Sequence, residues 1–316
     1  MKHCMVEILA KMAYWAGVDA LFYWLNRRAK RIVTFHNVLP DEMFRPGLAN
    51  GVSNRLSDFL SIVNECRKCY RFSTDLLDPK TLTITFDDGY RNQYTVAFRE
   101  LQKMGIPAYV FVSGDVLEGR GLLIDRLLHW VAEAPSECIP GGDRFRYWVN
   151  EIWPKFMADA QGKGANVLAA LNELYPYSKV EALLPTDYLN ERMGTITADE
   201  LREMRKAGWK IGWHTRSHYP LSKLKDEDLM AELNSPLEYR DVCFSYPYGN
   251  PVEVGEAAIQ AVEKLGYPSA VSNTNETVPS KYFLPRMTLS ANKYLLHFEL
   301  SGLKYFLKRR KLLPCV

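Results

Sequence analysis

The sequence predicts an α/β protein whose strands run parallel, with a mainly helical insertion near its middle. Short β-branched and apolar runs alternate with segments of helical spacing, and chemically loaded residues stand just past the ends of three of those runs. The alternation then stops between about 135 and 193, where Gly141, Gly142, Gly162 and Gly164 punctuate segments holding Trp148, Trp153 and Phe156. At 316 residues, 47% hydrophobic and 24% charged, the chain has the composition of one large globular domain carrying an insertion.

Residues 5–25 are apolar almost all round a helical projection, interrupted on one narrow stripe by Glu7, Lys11 and Asp19. Those charges make the segment neither a secretory signal by pattern nor an uninterrupted membrane span. Two expectations stay open: a helix packed on the body, or one lying in a membrane interface with Trp15, Phe22, Tyr23 and Trp24 buried. In the second case the basic run at Arg27, Arg28, Lys30 and Arg31 meets the headgroups. We therefore divide the chain into an N-terminal amphipathic and basic segment, 1–31, and a domain over 32–316.

In that domain Ile32–His36 reads as a short strand ending in a histidine, and Leu56, Phe59, Leu60, Val63 and Cys66 mark a helix over 56–70. Thr81–Phe86 alternates threonine with Leu82, Ile84 and Phe86 and ends at Asp87-Asp88-Gly89, a strand running into a tight turn. Val96, Phe98, Leu101 and Met104 predict a helix closed at Gly105, and 106–112 is the next strand, completing a βαβ unit. Past the insertion, Thr197 and Glu200 form a capping box for a helix through Lys206. Strands follow at 209–213, from 242, at 270–272 and at Phe283–Met287, and one amphipathic helix spans Tyr294–Lys311.

Bulk charge excludes a general nucleic-acid binder, since 40 Lys and Arg face 37 Asp and Glu for a net charge of +3. The basic residues gather instead at the two ends, the second group being Lys304, Lys308, Arg309, Arg310 and Lys311. Six scattered cysteines do not make a disulfide scaffold and fit a reducing compartment. Cys66 and Cys69 form a CxxC, but inside a predicted helix with no second pair to complete a tetrahedral site; we expect packing or free thiols.

Three strand ends carry the chemistry. Asp87 and Asp88 are adjacent carboxylates, which need different partners or a compensating cation if a turn brings them together. His214 and His218 in His-Thr-Arg-Ser-His can share one metal if the chain there is a compact turn. Pro247 and Gly249 around Tyr248 would hold a rigid turn whose backbone N–H groups face a ligand. Each alone has a bland reading as an ordinary loop. Position changes this, because the C-terminal ends of parallel strands are where sites in barrels and open α/β sheets are assembled.

The motifs Thr85–Tyr90, His214–His218 and Ser245–Gly249, in that order, resemble those of the polysaccharide deacetylases of the NodB-homology class. Thr34–His36, the stretch after the first motif, the stretch before the second, and Leu284–Met287 echo the same family, so that the likeness covers roughly 32–290 without the insertion. The resemblance implies a distorted (β/α) barrel with fewer than eight strands and a metal-dependent hydrolase of N-acetyl groups on sugars. It implies Asp88, His214 and His218 as ligands of a divalent metal, usually zinc, Asp87 as general base, and the Tyr248 N–H beside Pro247 as oxyanion donor. Many members carry an arginine where this chain has Ser245; we expect Arg286 to supply that charge. The family's C-terminal histidine would match His297, which the helical projection places on a solvated face, so His36 or a water is the alternative acid.

The expected partner is therefore an N-acetylated carbohydrate, polysaccharide or lipid-linked glycan, with no nucleic acid and with peripheral contact to an anionic membrane left open. The expected location is cytoplasmic, on the inner face of the membrane if that contact is made. Hydrolysis of another amide or ester at the same site, and glycan binding without catalysis, remain as alternatives.

Overall fold

The computed structural model describes residues 2–45, 52–159, 164–274, 280–310 and 313; Gly162, Lys311 and Cys315 lie outside them. Nine strands occur there: β1 (Arg31–Phe35), β2 (Asn37–Leu39), β3 (Ser53–Arg55), β4 (Arg71–Phe72), β5 (Thr81–Phe86), β6 (Ala108–Val112), β7 (Lys210–Trp213), β8 (Phe244–Ser245) and β9 (Ala270–Val271). β1, β5, β6 and β7 form one parallel sheet in that order, with Phe35 opposite Phe86, Phe86 opposite Val110 and Val112 opposite Trp213. β4 pairs with the first residues of β5, and β2 with β3.

β8 and β9 pair in parallel, and single bridges from Val271 to Leu284 and from Met287 to Val33 carry the order back to β1. The result is a mostly parallel, distorted (β/α) barrel-type arrangement. Phe283–Met287, expected as a strand, is reduced to these bridges, in keeping with Pro285, which has no N–H to give a ladder. No ladder joins β7 to β8 among the described residues. Gly212 is needed at that seam, because a Cβ there would stand 2.3 Å from the Cys243 carbonyl oxygen.

The two faces of β5 are buried for different reasons. Ile84 and Phe86 share the main core with Val33, Phe35, Phe59, Phe98 and Trp209, and Phe86 stacks on Trp209 at 5.7 Å. On the other face Thr85 donates to the Val33 carbonyl at 2.9 Å and accepts from Arg286 at 3.0 Å. A separate cluster of Ile32, Tyr109, Phe111, Cys243 and Val271 packs beside that polar layer. The threonine alternation thus marks a polar lining that is dry, its hydroxyl satisfied by protein.

Helix Leu56–Cys69 follows its predicted span, with Cys66 buried and both cysteines free. The helix after the Asp-Asp-Gly turn opens with a wide i→i+5 stretch, Gln93–Phe98, before Arg99–Lys103. Thr197 and Glu200 form both bonds of the capping box at helix Ala198–Lys206. Between β6 and that helix the described residues are mainly helical, including Leu123–Glu133, Trp153–Ala158, Ala165–Leu174 and Thr186–Met193.

Two long helices expected at the ends are each broken by glycine. The N-terminal one is split into Lys2–Trp15 and Val18–Leu25 at Gly17 (φ 71°), and the C-terminal one into Lys293–Leu300 and Leu303–Arg309 at Gly302 (φ 86°). The two pairs pack on each other through Val6, Ala10, Leu295, Phe298 and Leu303.

Candidate metal centre

Three strand ends converge as position predicted, and local backbone strain aims them. Asp88, Thr215, His218 and Tyr248 are four of the six non-glycine residues with positive φ among the described residues, and all four stand at this site. At Asp88 (φ 77°) the chain leaves the extended course of β5, so the two neighbouring carboxylates find different partners. The histidine pair lies on a compact loop rather than a helix, pinned where Thr215 Oγ1 accepts from His218 N at 3.0 Å. Buried Glu232 accepts from Ser217 N at 2.8 Å and from Ser217 Oγ at 2.5 Å and holds the loop from outside.

Asp88, His214 and His218 place their ligand atoms within 4.8 Å of one another, all three buried. Asp88 Oδ1 is 3.4 Å from His214 Nε2 and 3.2 Å from His218 Nε2. Each imidazole uses its other nitrogen elsewhere. His214 Nδ1 lies 2.8 Å from the Ser245 carbonyl oxygen, to which it can only donate. His218 Nδ1 lies 3.3 Å from Tyr248 Oη, whose own proton goes to the His218 carbonyl at 3.0 Å. Both tautomers therefore turn an Nε2 lone pair toward Asp88, whose Oδ1 is buried without a hydrogen-bond partner. Two lone pairs and an orphaned carboxylate oxygen facing one point fit a cation. Burial pushes the Asp88 carboxyl up, and the His218 and His214 imidazoles, in their protonated form, more than offset it and leave it well below the ordinary value, so that positive charge at this point is what the carboxylate needs.

Asp87 faces the other way, onto Arg286. The guanidinium grips it with both arms, Nη1 to Oδ1 at 2.7 Å and Nη2 to Oδ2 at 2.5 Å, both side chains fully buried. Its remaining donors go to Thr85 Oγ1, Ser245 Oγ and the Ser272 carbonyl, each at 3.0 Å. Ser245 in turn donates to Asp87 Oδ1 at 3.3 Å, joining the pair rather than leaving it open. Burial raises the Asp87 carboxyl, and Arg286 followed by His214 brings it below the ordinary range. His36, at the end of β1, has Nε2 3.9 Å from Asp87 Oδ2; burial lowers its pKa despite both carboxylates.

Tyr248 adopts φ 60° between Pro247 and Gly249, a turn closed by Gly249 N on the Pro247 carbonyl at 2.6 Å. Its ring packs edge-on against His218 at 4.7 Å and against Trp153 at 5.0 Å. His297 does not join the site. His297 and Ser301, on the face predicted to be solvated, are instead buried, His297 hydrogen bonded to Tyr23 Oη of the N-terminal helices at 3.2 Å and to Glu65 Oε2 of helix Leu56–Cys69 at 3.4 Å. The projection of one helix could not show that another covers it.

Residues 167–270 match the family model described as polysaccharide deacetylase, a stretch that holds the His214–His218 and Ser245–Gly249 motifs. Over that stretch, about a third of the chain, the sequence is similar to the polysaccharide deacetylases. The deacetylase PplD of Streptococcus pyogenes, solved in complex with acetate, has the same fold at a TM-score of 0.52, with 16% identity over 86% of this chain and 96% of that one. A de-N-acetylase from Aggregatibacter actinomycetemcomitans gives 0.50 with 14% identity, over 86% of this chain and 99% of that one. No curated protein matches the chain.

Beside the deacetylase motifs the structure adds residues that the sequence reading missed. A cavity of about 430 Å³ opens over the ligand set, and its wall includes Asp125, Trp148 and Trp153 from the helical region. Asp125 is buried, accepts from Tyr90 Oη at 2.6 Å and stands 3.8 Å from buried Arg192, both contacts falling on Oδ1. Gln93 ties the two strand ends together, donating to the carbonyls of Asp87 and His36. A lone acid in the apolar run Leu122–Leu128 was the available signal for Asp125.

Proposed function

We propose that the protein is a metal-dependent hydrolase that removes N-acetyl groups from a sugar, a polysaccharide or a lipid-linked glycan. One observation carries the reading: the Asp88, His214 and His218 ligand atoms converge beside a carboxylate, Asp87, that Arg286 keeps ionised. A divalent cation on two imidazoles and one carboxylate, zinc by the preference of such a donor set, would supply Lewis acidity to an acyl carbonyl and to a water.

The other tasks fall to the chain itself. Amide hydrolysis breaks the C–N bond, puts the water oxygen on the acyl carbon and yields acetate and a free amine. One proton must leave the water and one must reach the nitrogen. Asp87 takes the first in this reading: Oδ2 lies 4.0 Å from His214 Nε2, on the side of the ligand set. His36, beside the same oxygen and neutral near pH 7, is the group we assign to take that proton from Asp87 and pass it to the leaving amine. The Tyr248 N–H, on the turn fixed by Pro247, is our donor for the oxyanion on the acyl carbon. Trp148 and Trp153 offer apolar faces to a pyranose ring, and Asp125 offers Oδ2 to a hydroxyl.

Acetate release from N-acetylglucosamine oligomers and hydrolysis of p-nitrophenyl acetate, run side by side on wild type and Asp125→Asn, test the substrate class. We expect both reactions in the wild type. In the variant KM for the sugar rises about tenfold with ester hydrolysis unchanged, the loss of one hydrogen bond to a sugar hydroxyl. Ester hydrolysis without acetate from any N-acetylated sugar would move the site to another amide or ester. Neither reaction would leave a binding protein.

A further inference from the structure

The N-terminal helices bury one face on the body and leave another bare. In helix Lys2–Trp15 the buried residues are Val6 and Ala10, while Met5, Ile8, Met12 and Trp15 recur at helical spacing on the exposed side, Trp15 being 77% exposed. Helix Val18–Leu25 repeats the pattern with Leu21, Trp24 and Leu25 exposed, Trp24 at 59%. Seven of the sixteen exposed large apolar side chains among the described residues thus fall within 5–25, a concentration that scattered surface residues would not give. Phe22 joins this surface to exposed Phe306 of the C-terminal helix at 5.2 Å.

Cations border the patch. Arg27 sits over the Trp24 ring at 4.7 Å and Arg310 over Phe306 at 5.7 Å, with Arg28, Lys308 and Arg309 also exposed. The acids of the same helices are engaged elsewhere: Asp19 is buried, and Glu7 meets Lys11 at 3.5 Å and Asn292 at 3.0 Å. Apolar and tryptophan side chains flanked by arginine and lysine are the makeup of a helix that lies in a bilayer interface. A second copy of the chain fits less well, because a two-fold contact would set these cations against themselves. No helix among the described residues is long and apolar enough to cross a membrane, so the contact is a docking and not a span.

We infer that helices 2–15 and 18–25, with the end of helix 303–309, form a docking surface for an anionic lipid bilayer. The surface adjoins the N-terminal end of β1, where Arg31 donates to the Leu300 carbonyl at 3.0 Å and Asn26 to the Ser301 carbonyl at 2.8 Å. The Asp87–Asp88 turn stands at the opposite, C-terminal end of β5. Docking and hydrolysis therefore use separate surfaces and can be tested apart.

The test is co-sedimentation of the full chain with phosphatidylcholine vesicles that do or do not contain phosphatidylglycerol, at low and high salt. Wild type should bind the anionic vesicles and be released by salt. Trp15→Ser with Trp24→Ser should lower partitioning about tenfold, and Arg27→Gln with Arg28→Gln should remove the preference for anionic lipid. Metal content and thermal midpoint should not change, as expected for exposed positions. Failure of the folded wild type to bind anionic vesicles, or binding indifferent to the tryptophan changes, would overturn the inference. So would a dimer that the tryptophan changes dissociate in the absence of lipid, which would assign the face to a second copy.

Discussion

Asp87 and Asp88 share a peptide bond and almost nothing else. The first is gripped by Arg286 and the second stands open to two imidazoles, a division made by one left-handed residue at the strand end. Because both oxygens of Asp87 are held by a fully buried guanidinium, removing either partner leaves an unpaired buried charge. Arg286→Met should cost about 3–5 kcal/mol in a denaturant melt. A structural prop alone would do that. A positioning role for the base makes a further demand: with Arg286 gone the Asp87 carboxyl rises, so the acid limb of kcat/KM should move to higher pH. A limb that stays in place would remove Arg286 from the chemistry. The sign for stability agrees, since a carboxyl held below its unfolded value stabilises the fold above about pH 4 and stops doing so as pH falls through its folded value. The sequence reading reached Arg286 through the absence of an arginine at Ser245. It could not foresee that Ser245 itself would bind both partners.

At the scale of the element, the central strands and helix Leu56–Cys69 were legible, while the two helices at the chain ends and the strand expected at Phe283–Met287 were not. β5, β6 and β7 begin or end within about two residues of expectation because buried parallel strands are short apolar runs between turn signals. The end helices broke at Gly17 and Gly302, where apolar spacing continued through residues that tertiary packing bends. Turns behave as the motifs suggested. Gly249 has φ 73°, and a Cβ there would lie 2.2 Å from Asn273 N, the atom that donates to the Gly249 carbonyl at 3.1 Å. Gly249→Ala should therefore lower stability by about 1–3 kcal/mol and disturb the Tyr248 turn. A variant with wild-type melting and wild-type kcat would show that this turn is more pliant than its geometry implies.

Taken whole, the molecule sets a dry polar layer, Thr85, Asp87, Ser245 and Arg286, within its parallel strands, with the ligand set at their C-terminal ends. The three candidate ligands were legible because each stands in a motif at a strand end. Asp125, Trp148 and Trp153 were not, because the helices between β6 and β7 have no register with the strands that would tell which of their side chains return to the site. The central claim is that Asp88, His214 and His218 hold a metal that serves hydrolysis with Asp87 as base. Metal content of the purified protein, measured together with acetate release from N-acetylglucosamine oligomers for wild type and Asp87→Asn, tests it most directly. The account predicts metal in both and acetate from the wild type alone, with the variant slower by at least about a hundredfold. Protein that folds but takes up no divalent metal, or an Asp87→Asn variant as active as wild type, would contradict it.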